Sequence, residues 1–148
     1  MSIQINHEHY MREALKEAHK ALEIDEVPIG AVVVCRDKII ARAYNMTERL
    51  NDVTAHAEMQ AITSAANHLG GKYLDQCILY VTIEPCPMCA SATMWAQIKQ
   101  VVYGARDVKR GFLSVSKKLL HPKTTLVSGV LEKECAELMV EFFRKKRW

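Results

Sequence analysis

Two short segments of the 148-residue chain bring metal-binding and proton-carrying side chains to close spacing: His56-Ala57-Glu58 and Cys86-Pro87-Met88-Cys89. Zinc takes thiolate sulfur and imidazole nitrogen, and a catalytic site commonly has three protein ligands and one open position. His56, Cys86 and Cys89 supply such a set, for one Zn2+ per subunit. Cys86 and Cys89 lie three apart, so on a helix they share a face. Pro87 suits the first helical position and sets both on the first turn. The unpaired N–H groups there favour the thiolate that a metal needs.

His56 and Glu58 need a different argument. Residues two apart point to opposite sides of a regular helix. They reach one site only at a helix entrance, where the chain is not yet helical. Thr54 is the expected N-cap of that helix. Two helix N-termini then converge on one metal, with Glu58 beside it as a non-ligand. Zinc lowers the pKa of bound water to about 7. A carboxylate at Glu58 can take that proton and pass it on.

Other uses of these residues exist. A Cys-x-x-Cys pair serves as a redox couple, or as half of a structural zinc site. The redox use leaves His56-Ala57-Glu58 without a role. A structural site needs a fourth ligand, for which His68, His121 or Cys135 could be proposed, and none sits in a paired ligand spacing.

The surrounding elements follow from periodicity and breakers. His9–Glu23 reads as an amphipathic helix, ended by Asp25-Glu26-Val27-Pro28. Ile29–Cys35 and Lys38–Asn45 read as strands joined through Arg36-Asp37 as a hairpin. Helices are expected over Ala55–Leu69, stopping at Gly70-Gly71, and from Pro87 to about Gln97. Strands are expected at Cys77–Ile83, Val101–Ala105 and Thr125–Ser128, a short helix near Leu113–Leu120, and a last helix at Val130–Lys146. The alternation after residue 54 implies a largely parallel portion, and the hairpin makes the sheet mixed. The expected fold class is α/β, a three-layer α/β/α sandwich with a five-stranded mixed sheet. It would form a single domain over residues 1–148.

Composition is ordinary for a globular chain, with 49% apolar and 25% charged residues. The N-terminus has no signal-peptide core, and runs such as Ile29–Cys35 are too short to span a membrane. A cytoplasmic protein with no membrane partner is expected. Five cysteines argue against a disulfide framework. Residues 1–98 carry a net charge of −4 and residues 99–148 one of +7. That asymmetry suggests a polyanion-facing side, although basic residues also complement helix C-termini.

Thr54-Ala55-His56-Ala57-Glu58 with Glu84-Pro85-Cys86-Pro87-Met88-Cys89-Ala90 resembles the cytidine deaminase superfamily. In that superfamily a His/Cys/Cys zinc and a non-ligand Glu direct water at C4 of cytosine or C6 of adenine. A wider set of segments is similar to the bacterial tRNA-specific adenosine deaminases. It comprises Glu26-Val27-Pro28-Ile29-Gly30-Ala31-Val32, Tyr44-Asn45, Tyr80-Val81-Thr82-Ile83-Glu84-Pro85-Cys86, Val102-Tyr103-Gly104-Ala105-Arg106-Asp107 and Glu141-Phe142-Phe143-Arg144. The resemblance implies a cytidine deaminase-like fold and a homodimeric hydrolase converting the wobble adenosine of a tRNA anticodon to inosine, with release of ammonia. It implies zinc at His56, Cys86 and Cys89, and Glu58 as proton shuttle. It implies contacts to the anticodon stem-loop from Asn45, Asp107, Phe142, Phe143 and the basic residues Arg144 to Arg147, Lys146 among them. The alternative activity is deamination of a free base or nucleoside (guanine, cytosine or cytidine). Asp52-Val53-Thr54 lacks the Pro that family members often carry, and Gly111–Gly129 is shorter than in the best-known members, which leaves its RNA contacts open.

Overall fold

The computed structural model describes residues 6–146, so Arg147 lies outside the described residues. Helices α1 (His7–Glu23), α2 (Ala57–Leu69), α3 (Pro87–Ala96) and α4 (Glu132–Lys146) pack on strands β1 (Gly30–Cys35), β2 (Lys38–Tyr44), β3 (Cys77–Ile83), β4 (Gln100–Ala105) and β5 (Thr125–Val127). The strands form one sheet in the order β2-β1-β3-β4-β5. β1 pairs antiparallel with both β2 and β3, whereas β3–β4 and β4–β5 are parallel. The sheet is therefore mixed, as expected, and the expected α/β/α layering is present.

The layering follows from strand alternation. Ala31, Val33, Leu79, Val81 and Val101 face one way and pack with Ala57, Ala61, Ala65 and Ala90 of α2 and α3. Val32, Val34, Tyr80 and Val102 face the other way, against Met11 and Ala14 of α1 and Cys135 of α4. β1, β3 and β4 are inner strands covered on both faces, and their sequences are almost uninterrupted apolar runs. The edge strand β2 instead exposes Lys38 and Arg42.

Local chemistry sets the connections. Arg36 and Asp37 both take positive φ, 51° and 62°, the primed two-residue turn that matches strand twist. The Tyr10 hydroxyl donates to the Asp37 carbonyl at 3.1 Å and ties that turn to α1. At Gly30 a Cβ would lie 2.0 Å from the Ala14 carbonyl oxygen, so only glycine lets α1 approach β1 so closely. The segment 112–119 departs from expectation. Instead of one short helix it forms two 3-10 turns, Phe112–Ser114 and Lys117–Leu119, the first pinned by the fully buried Phe112.

α1 is fixed to the sheet edge by charge. Arg42 on β2 reaches Glu13 and the nearly buried Glu17 on α1. Hydrogen bonds from Arg42 and Lys16 hold the Glu13 carboxyl down at about 2, against its ordinary 4.5. A carboxyl with a depressed folded pKa stabilises the fold above its ordinary pKa and loses that contribution as pH falls through the folded value. Glu13→Gln should therefore cost about 1 kcal/mol near neutrality, a figure discounted for the solvent around Arg42. Urea titrations should show the gap between variant and parent closing as pH falls from about 5 to 2. A gap independent of pH would remove the ion pair from the account.

Candidate active site

The candidate site lies where α2 and α3 begin. His56 is itself the N-cap of α2, with extended backbone (φ −69°, ψ 154°), and Cys86 is the N-cap of α3 in nearly the same conformation (φ −71°, ψ 168°). Thr54 is not the cap that the sequence suggested. Its N–H and hydroxyl both donate to the Asp52 carboxylate, at 2.8 and 2.7 Å, which closes a small turn before the helix. The extended N-cap at His56 lets His56 and Glu58, two apart, reach one locus. Pro87 occupies the first turn of α3 as its fixed φ favours.

His56 Nδ1 lies 3.6 Å from Cys86 Sγ and 3.4 Å from Cys89 Sγ. One donor atom from each residue falls within 4.8 Å of the others. Two sulfurs and one imidazole nitrogen at this spacing fit a zinc-type cation and leave a fourth position for a non-protein ligand. Hydrogen bonds from Cys89 and then His56 hold the Cys86 thiol down at about 4. Cys89, as donor in that bond and buried, is pushed up. The bond to Cys86 raises His56.

Glu58 sits beside this cluster, 4% exposed. Desolvation lifts its carboxyl to about 7, against pulls from its own backbone N–H, His56 and the Cys89 thiol. A carboxyl poised there can accept and return a proton near neutral pH.

Several contacts hold this end of the sheet. Gln60 donates to the carbonyls of Tyr44 and Ala55 at 2.7 and 3.1 Å, joining the first turn of α2 to the end of β2. The Met46 N–H donates to the Ala55 carbonyl at 3.0 Å, which ties the residue after Asn45 to the residue before His56. Glu26, 1% exposed, accepts from Asn45 Nδ2 and from the N–H groups of Glu48 and Arg49. Glu84, 4% exposed, accepts from the N–H groups of Asp107 and Leu113. Sequence spacing gave no sign of the partners of Gln60 and Glu26, which are chiefly backbone groups of other segments.

The remaining expected site residues differ in exposure and are not among the clustered donor atoms. Asn45 is buried, and Asp107 is half-buried with one carboxylate oxygen accepting from the Arg110 N–H at 3.0 Å. Phe142 is buried and Phe143 is 43% exposed, their rings edge to face at 5.2 Å. Adjacent helical residues divide between core and surface in this way. Arg144 and Lys146 are exposed, and Lys146 pairs with Asp25, next to Glu26.

Residues 5–147 match the family model of MafB19-like deaminases. The chain is 47% identical to a tRNA-specific adenosine deaminase of Agrobacterium fabrum, covering 94% of this chain and 95% of that one. It is 48% identical to the one of Bacillus subtilis, covering 93% and 89%. It also superposes with a TM-score of 0.81 on a structure from a study of A-to-I editing by tRNA:A34 deaminases at the wobble position of transfer RNA. That pair is 47% identical over 88% of this chain and 98% of the other. The chain belongs to the MafB19-like deaminases, in the branch of the tRNA-specific adenosine deaminases.

Proposed function

We propose that this single domain converts the wobble adenosine of a tRNA anticodon to inosine. The observation that carries the reading is the geometry around Glu58, a buried carboxyl beside the clustered donor atoms of His56, Cys86 and Cys89 but not among them. His56 Nδ1, Cys86 Sγ and Cys89 Sγ would hold zinc. When bound, zinc supplies Lewis acidity that makes water a nucleophile at neutral pH. Glu58 takes one proton from the attacking water and delivers it to the purine ring nitrogen, then takes the second from the hydroxyl formed at C6 and delivers it to the departing amine. A C6–O bond forms, the C6–N bond breaks, and ammonia leaves. Asn45 orients the flipped-out nucleoside, and Asp107 stands toward its ribose-phosphate backbone.

The anticodon stem-loop is a polyanion. Exposed Arg106, Lys109 and Arg110 on one loop, with Phe143, Arg144 and Lys146 on α4, offer cations and an aromatic face to it. Among the described residues no helix is long and apolar enough to cross a membrane, which suits work on cytoplasmic tRNA. Trp95 on α3 is 76% exposed, which supports a homodimer that covers this face.

Glu58→Gln should keep one zinc per chain by elemental analysis and cut inosine formation in an anticodon stem-loop by roughly 10²- to 10⁴-fold. Cys86→Ser should lose metal and activity together. Full turnover by Glu58→Gln, or ammonia release from free guanine or cytosine but none from the stem-loop, would refute the assignment. For the assembly, sedimentation equilibrium should give a dimer for the parent and a monomer for Trp95→Asp. A parent that stays monomeric at micromolar concentration contradicts the dimer.

A further inference from the structure

Glu84 immediately precedes Pro85-Cys86, and four hydrogen bonds join Glu84 and Pro85 to β4 and the loop after it, one to the last residue of the strand and three to the loop. The Glu84 N–H donates to the Ala105 carbonyl at 2.8 Å, and the Phe112 N–H donates to the Pro85 carbonyl at 2.9 Å. The carboxylate accepts from the Asp107 N–H at 3.1 Å through Oε1, and from the Leu113 N–H at 3.0 Å through Oε2. Each oxygen thus takes one end of the segment 107–113. The outer side of that segment carries Lys109 and Arg110, with Arg106 just before it, all exposed.

Gly111 makes this grip possible. A Cβ there would lie 2.0 Å from Glu84 Oε2 and 2.6 Å from the Asp107 carbonyl oxygen. Its backbone (φ −68°, ψ 151°) is open to any L-residue, so room for the carboxylate is what glycine supplies. An amide in place of the carboxylate would offer one acceptor and turn its N–H2 toward the second N–H.

We propose that Glu84 is a positioning residue for the polyanionic substrate, a buried clamp that fixes Asp107 and the basic loop 106–110 against the strand end leading to Cys86. The proposal rests on the stem-loop reading above. Glu84 acts through the loop and touches neither substrate nor metal. A clamp and a bare negative charge make opposite predictions. If Glu84 mattered only as charge, its neutralisation would ease the approach of RNA and lower KM. Loss of the clamp frees the loop and raises KM.

The test compares the parent with Glu84→Gln and Gly111→Ala, all purified with zinc, on an anticodon stem-loop bearing adenosine at the wobble position. Both variants should keep one zinc per chain and kcat within about threefold, and raise KM roughly tenfold, the scale of a lost hydrogen bond to a charged group. Gly111→Ala keeps the charge, so agreement between the two isolates the clamp. Unchanged or lowered KM, loss of zinc, or a loss confined to kcat overturns the proposal. Amide hydrogen exchange on the parent supplies an independent reading if the variants do not fold, or if the parent makes no inosine. The Asp107 and Leu113 amides should exchange as slowly as those of β4, and fast exchange at both overturns the clamp. A parent with slow exchange and no inosine contradicts the stem-loop reading alone.

Discussion

The unpaired N–H groups at the first turns of α2 and α3 are the constraint around which the structure is arranged. Each helix leaves its first donors without intrahelical partners, and a side chain or ligand of negative character must answer them. His56 and Cys86 stand at the two N-caps in matching extended conformations, and neither caps its helix with a side-chain hydrogen bond. Their donor atoms are turned toward each other and toward Cys89. One region therefore satisfies three demands: cysteine sulfurs near positive helix ends, an imidazole nitrogen beside them, and room for a cation. The sheet makes the meeting possible. α2 packs over β1 and β2, α3 follows β3, and the antiparallel β1–β3 pair fixes one helix against the other.

Three buried glutamates around this point show burial put to different uses. At Glu58 desolvation outweighs the pull of the nearby His56, and the proton is held until near neutrality. Glu26 and Glu84 spend their oxygens on backbone N–H groups of neighbouring segments, which satisfies the carboxylates and fixes the loops. One loop leads from Asn45 to Arg49, and the other from Asp107 to Leu113. The flanks of the site thus inherit the rigidity of the sheet.

The candidate site was legible because its chemistry is local. His56, Cys86 and Cys89 as candidate ligands, and Glu58 beside them, announce themselves by type and spacing, and Pro87 announces the start of α3. The strand assignments held to within a residue or two, because inner strands are short apolar runs bounded by breakers. Thr54 misled because its hydroxyl is claimed by Asp52, a competition that type and position do not reveal. Glu26, Glu84 and Gln60 act on backbone groups brought near only by folding, so spacing says nothing of their partners. The 112–119 segment is shaped by the burial of Phe112 and the bond from its N–H to Pro85, both tertiary facts that override local propensity.

The central claim is that two thiolates and one imidazole nitrogen hold a zinc ion that keeps one position for a non-protein ligand. Zinc K-edge X-ray absorption on the purified protein tests it most directly. The account predicts a shell of two sulfurs and two nitrogen or oxygen scatterers, one of them an imidazole, with the light-atom shell perturbed when a purine ribonucleoside analogue is added. A third sulfur, two imidazoles, or a shell indifferent to the analogue would mark a closed structural site and contradict it.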